Sequence, residues 1–144
     1  MNKNGQFEIS VNLTNQKVQF TGVSGSNPER PIKFDFSPPI GDGDGYAGLE
    51  LLLMSFAGCA ATTIVFMLRK MGKDISGFTV NAKGIKQNQP PKLEKISLEF
   101  ILNSSDTEAA DIEKTIHLAE ESFSPVWQVL KNSVEVTTEY KIIR

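Results

Sequence analysis

Leu49-Glu50-Leu51-Leu52-Leu53-Met54-Ser55-Phe56-Ala57-Gly58-Cys59-Ala60-Ala61-Thr62-Thr63-Ile64-Val65-Phe66-Met67-Leu68 is the stretch on which the reading of the chain turns. Between Ala47 and Met67 only Glu50, Ser55, Thr62 and Thr63 are distinctly polar. The run is long enough to cross a bilayer. Two features oppose that. The strands expected before and after it read as parts of one sheet, which could not assemble across a membrane. Glu50, near its start, would also be costly in lipid. The run therefore reads as a helix buried on nearly every side. A helix that is apolar all round needs more cover than one sheet face supplies. A second copy of the chain is the simplest source of the rest, so a homodimer is expected.

Strands are expected on both sides of this helix, from period-two alternation. Phe7, Ile9, Val11 and Leu13 share one parity, and Thr14-Asn15-Gln16 is a hairpin connection to Val18 and Phe20. Ile32, Phe34 and Phe36 alternate with Lys33 and Asp35, until Pro38-Pro39 stops the strand. After the helix, Phe78, Val80 and Ala82 form one strand and Ile96, Leu98, Phe100 and Leu102 another, with Gln89-Pro90-Pro91 in the loop between. Asp106 to Glu121 reads as an amphipathic helix with Ala109, Ile112, Ile116 and Ala119 on one stripe. A shorter helix is expected from Pro125 to Lys131, and a last strand from Val134 to Ile142. Half-buried alternation points to antiparallel pairing with one covered face. The order of elements makes the class α+β, with mostly antiparallel sheets wrapped around the long central helix. No repeat or linker divides the 144 residues, so residues 1–144 are expected to form a single domain.

Composition narrows the function. A net charge of −2 leaves no basic surplus for nucleic acid. The N-terminus Met1-Asn2-Lys3-Asn4-Gly5 lacks the apolar core of a secretory signal, so a cytoplasmic location is expected. One cysteine, Cys59, excludes an intrachain disulfide and a thiolate-rich metal cage within one chain.

Four features give way to structural readings. Gly43-Asp44-Gly45-Tyr46-Ala47-Gly48 matches G-x-G-x-x-G, but Pro38-Pro39 separates it from the nearest strand, so it reads as a hinge before the helix. Asp42-Gly43-Asp44-Gly45 begins like a calcium loop, then fails at Tyr46 and Leu53, where oxygen ligands should stand. His117, the one histidine, reads as a solvated helix position. Ser124-Pro125 reads as an N-cap followed by proline at the first helical position. No cofactor is implied by any of these.

The stretch from Gly45 to Cys59 resembles the OsmC/Ohr family, whose helix opens Pro-x-Glu-Leu and ends in a small-small-Cys step. Lys70-Met71-Gly72 and Ile75-Ser76-Gly77-Phe78-Thr79-Val80 follow in the family's order. Pro90-Pro91 precedes the Leu93–Leu102 strand, and Leu118-Ala119-Glu120-Glu121-Ser122-Phe123-Ser124-Pro125-Val126 resembles the family's Leu-Ala-x-x-x-x-Cys-Pro-Val. The resemblance implies an intertwined homodimer with an active site at each subunit interface. In the family's peroxidases a first cysteine attacks an organic hydroperoxide, and a second resolves the sulfenic acid as a disulfide.

Carried over, Cys59 takes the attacking position and Ser124 the resolving one, so the second thiol is missing. Glu50 is near the family's glutamate, which in the peroxidases stands one residue earlier, at Leu49 here. Gly48 replaces the usual proline. The N-terminal arginine of the peroxidases has no counterpart in Phe7–Leu13 or Val18–Val23, and Arg30 is the one arginine before the helix. Cys59, Glu50 and Ser124 are thus the candidate site residues. The expectation is a stress-related thiol protein, a one-cysteine organic hydroperoxide reductase that takes its electrons from an external thiol. The alternative is a non-catalytic protein holding an apolar small molecule at the dimer interface. Neither nucleic acid nor membrane is expected as a partner.

Overall fold

A computed structural model describes residues 5–144 of the chain. Residues up to Leu51 and residues from Leu52 onward form two compact units.

The first unit is a three-stranded antiparallel sheet in the order β1-β2-β3, from β1 (Ile9–Leu13), β2 (Phe20–Ser24) and β3 (Asn27–Phe34). Leu13 pairs with Phe20 and Ile9 with Ser24. The connection is longer than the expected hairpin, and Val18 lies in it rather than in the strand. Asn15 shapes it, its side-chain oxygen accepting the Lys17 and Gln19 N–H groups at 2.9 and 3.0 Å. β3 begins well before Ile32 and passes through Pro28 and Pro31. Alternation could not find this segment, and the sheet tolerates it because β3 is an edge strand whose outer side needs no donors.

Beyond Phe34 the backbone leaves the sheet and Asp35 turns inward. Its Oδ1 accepts the Phe36 N–H at 2.8 Å, and its Oδ2 accepts those of Asp42 and Asp44 at 3.2 and 3.0 Å. Gly41 has to be glycine here, because a Cβ would collide with the Phe36 carbonyl oxygen and Asp35 Oδ1. The glycine-rich segment is therefore a loop closed on a carboxylate.

Helix α1 (Gly48–Lys70) runs on from this loop into the second unit. Glu50 in its first turn and Arg69 and Lys70 in its last suit the helix dipole. Gly72, at φ +80°, closes it: the Gly72 N–H donates to Arg69 O and the Lys73 N–H to Leu68 O.

The second unit holds a sheet in the order β4-β5-β6, from β4 (Gly77–Asn88), β5 (Pro91–Asn103) and β6 (Glu135–Ile143). β4 and β5 pair antiparallel as expected. β6 does not: it lies parallel to β5, with Ile96 opposite Val136 and Leu102 opposite Ile142. Alternation reports which face is covered and is blind to direction. The helical segment between β5 and β6 provides the long crossover that parallel neighbours need. That crossover comprises α2 (Ala109–Leu118), a π-helical segment (Ala119–Phe123) and α3 (Pro125–Leu130). The helix expected from Asp106 starts later, because Ser104, Asp106 and Thr107 are engaged in a turn. Ser104 Oγ and Thr107 Oγ1 are 2.8 Å apart, and Asp106 Oδ1 accepts the Asp74 N–H at 3.0 Å.

The core joins Ile96, Leu98, Phe100 and Leu102 of β5 to Phe56, Ala60, Ile64 and Leu68 of α1, with Ile112, Ile116 and Trp127 from the crossover. Each large apolar side chain taken from water contributes about 1.5–3 kcal/mol. The four buried α1 residues recur every fourth position, a single stripe. The chain itself does not enclose α1 on nearly every side: Met54 and Phe66 are exposed, and the flanking positions are half-buried.

Candidate functional site

Cys59 lies midway along α1, one turn after the buried Phe56, and is itself half-buried. Ser124 is fully buried at the N-cap of α3. The π-helical segment brings it there: the Ser124 N–H reaches back to Ala119 O at 3.1 Å, one residue further than an α-helical bond. The Ser124 hydroxyl donates to Cys59 Sγ at 3.2 Å. The N-cap position foreseen for Ser124 is present, but its side chain makes no capping bond to α3.

A second contact runs alongside. The Trp127 and Phe56 rings lie 5.3 Å apart, tilted by 59°. Phe56 and Cys59 share one face of α1, and Ser124 and Trp127 share one face of the first turn of α3. The two helices thus meet through one polar and one aromatic contact. Trp127 was not among the expected site residues. The signal for it was its spacing of three from Ser124. Its indole N–H is buried and has no partner among the described residues.

Chemically, a hydroxyl that donates to sulfur fixes the orientation of the side chain that carries it. Ser124 is the one hydrogen-bond partner of the sulfur among the described residues. Glu50 is exposed on the first turn of α1, in the other unit, and no side-chain partner is found for it among the described residues. Of the three expected site residues, Cys59 and Ser124 are therefore brought into contact. Arg30 is exposed on β3.

A cavity of about 490 Å³ opens one turn beyond Cys59, walled mainly by Phe66, Met67, Leu118 and Phe123. Thr63 also lines it and ties it to the sulfur-bearing residue, its hydroxyl donating to the Cys59 carbonyl at 3.0 Å. On the surface, His117, Glu120 and Glu121 bring potential metal-ligating atoms within 4.8 Å of one another. His117 is exposed, as the solvated reading required.

Comparison with known proteins places these features in context. Residues 41–139 match the family model for OsmC-like proteins. The Escherichia coli K12 protein YhfA is 27% identical over 96 residues, covering 66% of this chain and 72% of that protein. Among solved structures, an OsmC-like protein from Mycoplasma pneumoniae superposes with a TM-score of 0.83 at 19% identity, over 98% of this chain and 99% of the other. The organic hydroperoxide resistance protein OhrB of Bacillus subtilis superposes with a TM-score of 0.64 at 14% identity, over 94% and 98% of the two chains.

Proposed function

We propose, from the premise that the chain belongs to the family of OsmC-like proteins, that it is a stress-related thiol protein whose Cys59 reduces organic hydroperoxides by a one-cysteine route. The observation that carries this reading is the 3.2 Å hydrogen bond from the Ser124 hydroxyl to Cys59 Sγ. A thiolate is the nucleophile in such chemistry, and a buried donor aimed at the sulfur fixes where it stands for attack. The thiolate attacks the terminal peroxide oxygen, the O–O bond breaks, and the alkoxide leaves with a proton as an alcohol. Cys59 is then a sulfenic acid. Ser124 has no thiol with which to resolve it, so an external thiol condenses with the sulfenic acid, releasing water and leaving a mixed disulfide. A second thiol releases the external disulfide and restores Cys59. Ser124 is a positioning residue in this scheme, and Glu50 helps organise the site where two copies meet.

The reading includes a homodimer, with residues 1–144 acting as one cytoplasmic domain. Peroxide consumption with dithiothreitol or lipoamide as reductant tests the chemistry. The wild-type protein is expected to consume cumene hydroperoxide faster than Cys59→Ser, and equal rates would overturn the proposal.

A second reading has its own support in the 490 Å³ cavity and its apolar walls, a volume in the range of small-molecule sites. In that reading the protein binds an apolar ligand and Cys59 is a packing residue. Thermal stabilisation of Cys59→Ser by such ligands, without peroxide turnover by the wild type, is its signature.

A further inference from the structure

We infer that the cleft between α1 and α2 takes a single-chain carboxylate amphiphile, with its acyl tail along Phe66, Leu118 and Phe123 and its carboxylate between Lys70 and Lys114. The inference deepens the binding reading above and rests on its cavity, not on any reactivity of Cys59. A second hollow of about 190 Å³ adjoins the first, and the two share Met67, Lys70 and Leu118 as a common wall. The apolar cavity thus continues toward the end of α1, where Lys70 and Lys114 line the second hollow from facing helices.

The charge at that end is uncommitted. Neither lysine forms an ion pair with a carboxylate among the described residues, in contrast to Lys73, which is held by Asp111 at 2.9 Å. The Lys70 ammonium stands over the Phe66 ring, 5.9 Å from its centre, so the cation sits at the cavity wall. Two ammonium groups at one end of an apolar trough complement a ligand with one anionic end and one oily one. A neutral apolar ligand would leave both lysines unused. The geometry also orients the ligand. Thr63 and Phe123 adjoin Cys59 and Ser124, so the tail points toward the sulfur and the head away from it. Lys70 follows Cys59 by eleven residues of one helix, roughly 16 Å at 1.5 Å per residue, so a ten-carbon chain headed at Lys70 lies along the cavity and stops short of the sulfur.

The test compares decanoate with decan-1-ol on the Cys59→Ser protein, by calorimetry at low salt. Decanoate is expected to bind about tenfold more tightly, a preference of about 1.4 kcal/mol. High salt should reduce the preference, because the lysines are exposed. Replacing both lysines, Lys70→Met with Lys114→Met, should abolish the preference by weakening decanoate while decan-1-ol still binds. Equal affinities, no binding of either ligand, or a preference that survives the double substitution would each overturn the inference. Since the measurement uses a protein without the thiol, its failure leaves the peroxide chemistry standing. Loss of peroxide turnover in the wild-type assay likewise leaves the binding result standing.

Discussion

The Ser124 hydroxyl donates its one proton to Cys59 Sγ, and its oxygen accepts none of the open backbone N–H groups of α3. Residue identity revealed the pair, since a serine stands where the resembling peroxidases carry a second cysteine. It could not reveal the bond, because an N-cap serine normally turns its oxygen to its own helix. Two substitutions read the contact. Ser124→Ala removes the donor that holds the sulfur in place and should slow alkylation of Cys59 by iodoacetamide severalfold, in line with about 1 kcal/mol for one hydrogen bond. An unchanged rate would mean that the hydroxyl does not act on the reactive form. Ser124→Cys puts a second sulfur within reach, because the oxygen it replaces already lies 3.2 Å from Cys59 Sγ. Treated with a hydroperoxide, this variant should lose both free thiols to an intrachain disulfide, as thiol titration and mass spectrometry would report. Persistence of two free thiols would show that the two positions cannot close on each other.

Among the elements, the loop between β3 and α1 depends most on one side chain. Asp35 is buried and accepts three backbone N–H groups, and the Asp44 N–H does most to hold its carboxyl below the usual carboxylate range. Burial works in the opposite direction, and the Phe36 and Asp42 N–H groups add to the lowering. With a folded-state pKa below the unfolded one, the stabilisation is complete above the ordinary aspartate range. It is lost as the pH falls through the depressed value. Asp35→Asn cannot satisfy both sides of the carboxylate, because one of its two ends must face backbone donors with an amide NH₂. The variant should melt several degrees lower at neutral pH, with the gap closing in acid, as thermal scans across pH would show. A gap independent of pH would assign the loss to packing instead. The sequence showed the glycine-rich segment as a hinge, but its closure on Asp35 needed coordinates, since Asp35 reads there as one more polar residue on an alternating strand. The length and apolar character of α1 were likewise visible, and its burial along one stripe was not. Away from that stripe, Met54 and Phe66 stay exposed.

For the molecule as a whole, that uncovered surface is the outstanding physical fact. Met54 on α1 is 50% exposed, and Phe7, Ile9 and Leu13, which share one parity at and before β1, are 75%, 64% and 56% exposed. Exposed apolar faces of this kind mark surfaces that another chain covers. The proposed homodimer predicts sedimentation as two copies at low micromolar concentration. It also predicts that Ile9→Lys with Leu13→Lys releases folded monomer, because these side chains are exposed in the single chain and charge costs little until an interface must close. A wild-type chain that sediments as a stable monomer would sink the dimer and the shared site with it. By itself the sequence determined the α+β class, most elements, the OsmC/Ohr resemblance and the absence of a second thiol. All of these follow from local periodicity and from which residue stands at which position. Tertiary structure alone decided that β6 runs parallel to β5, that Ser124 bonds to a sulfur 65 residues away, and that Phe66 and Phe123 wall one cavity. Each depends on which distant segments come together, and that is settled by the packing of the folded chain rather than by any local pattern along it.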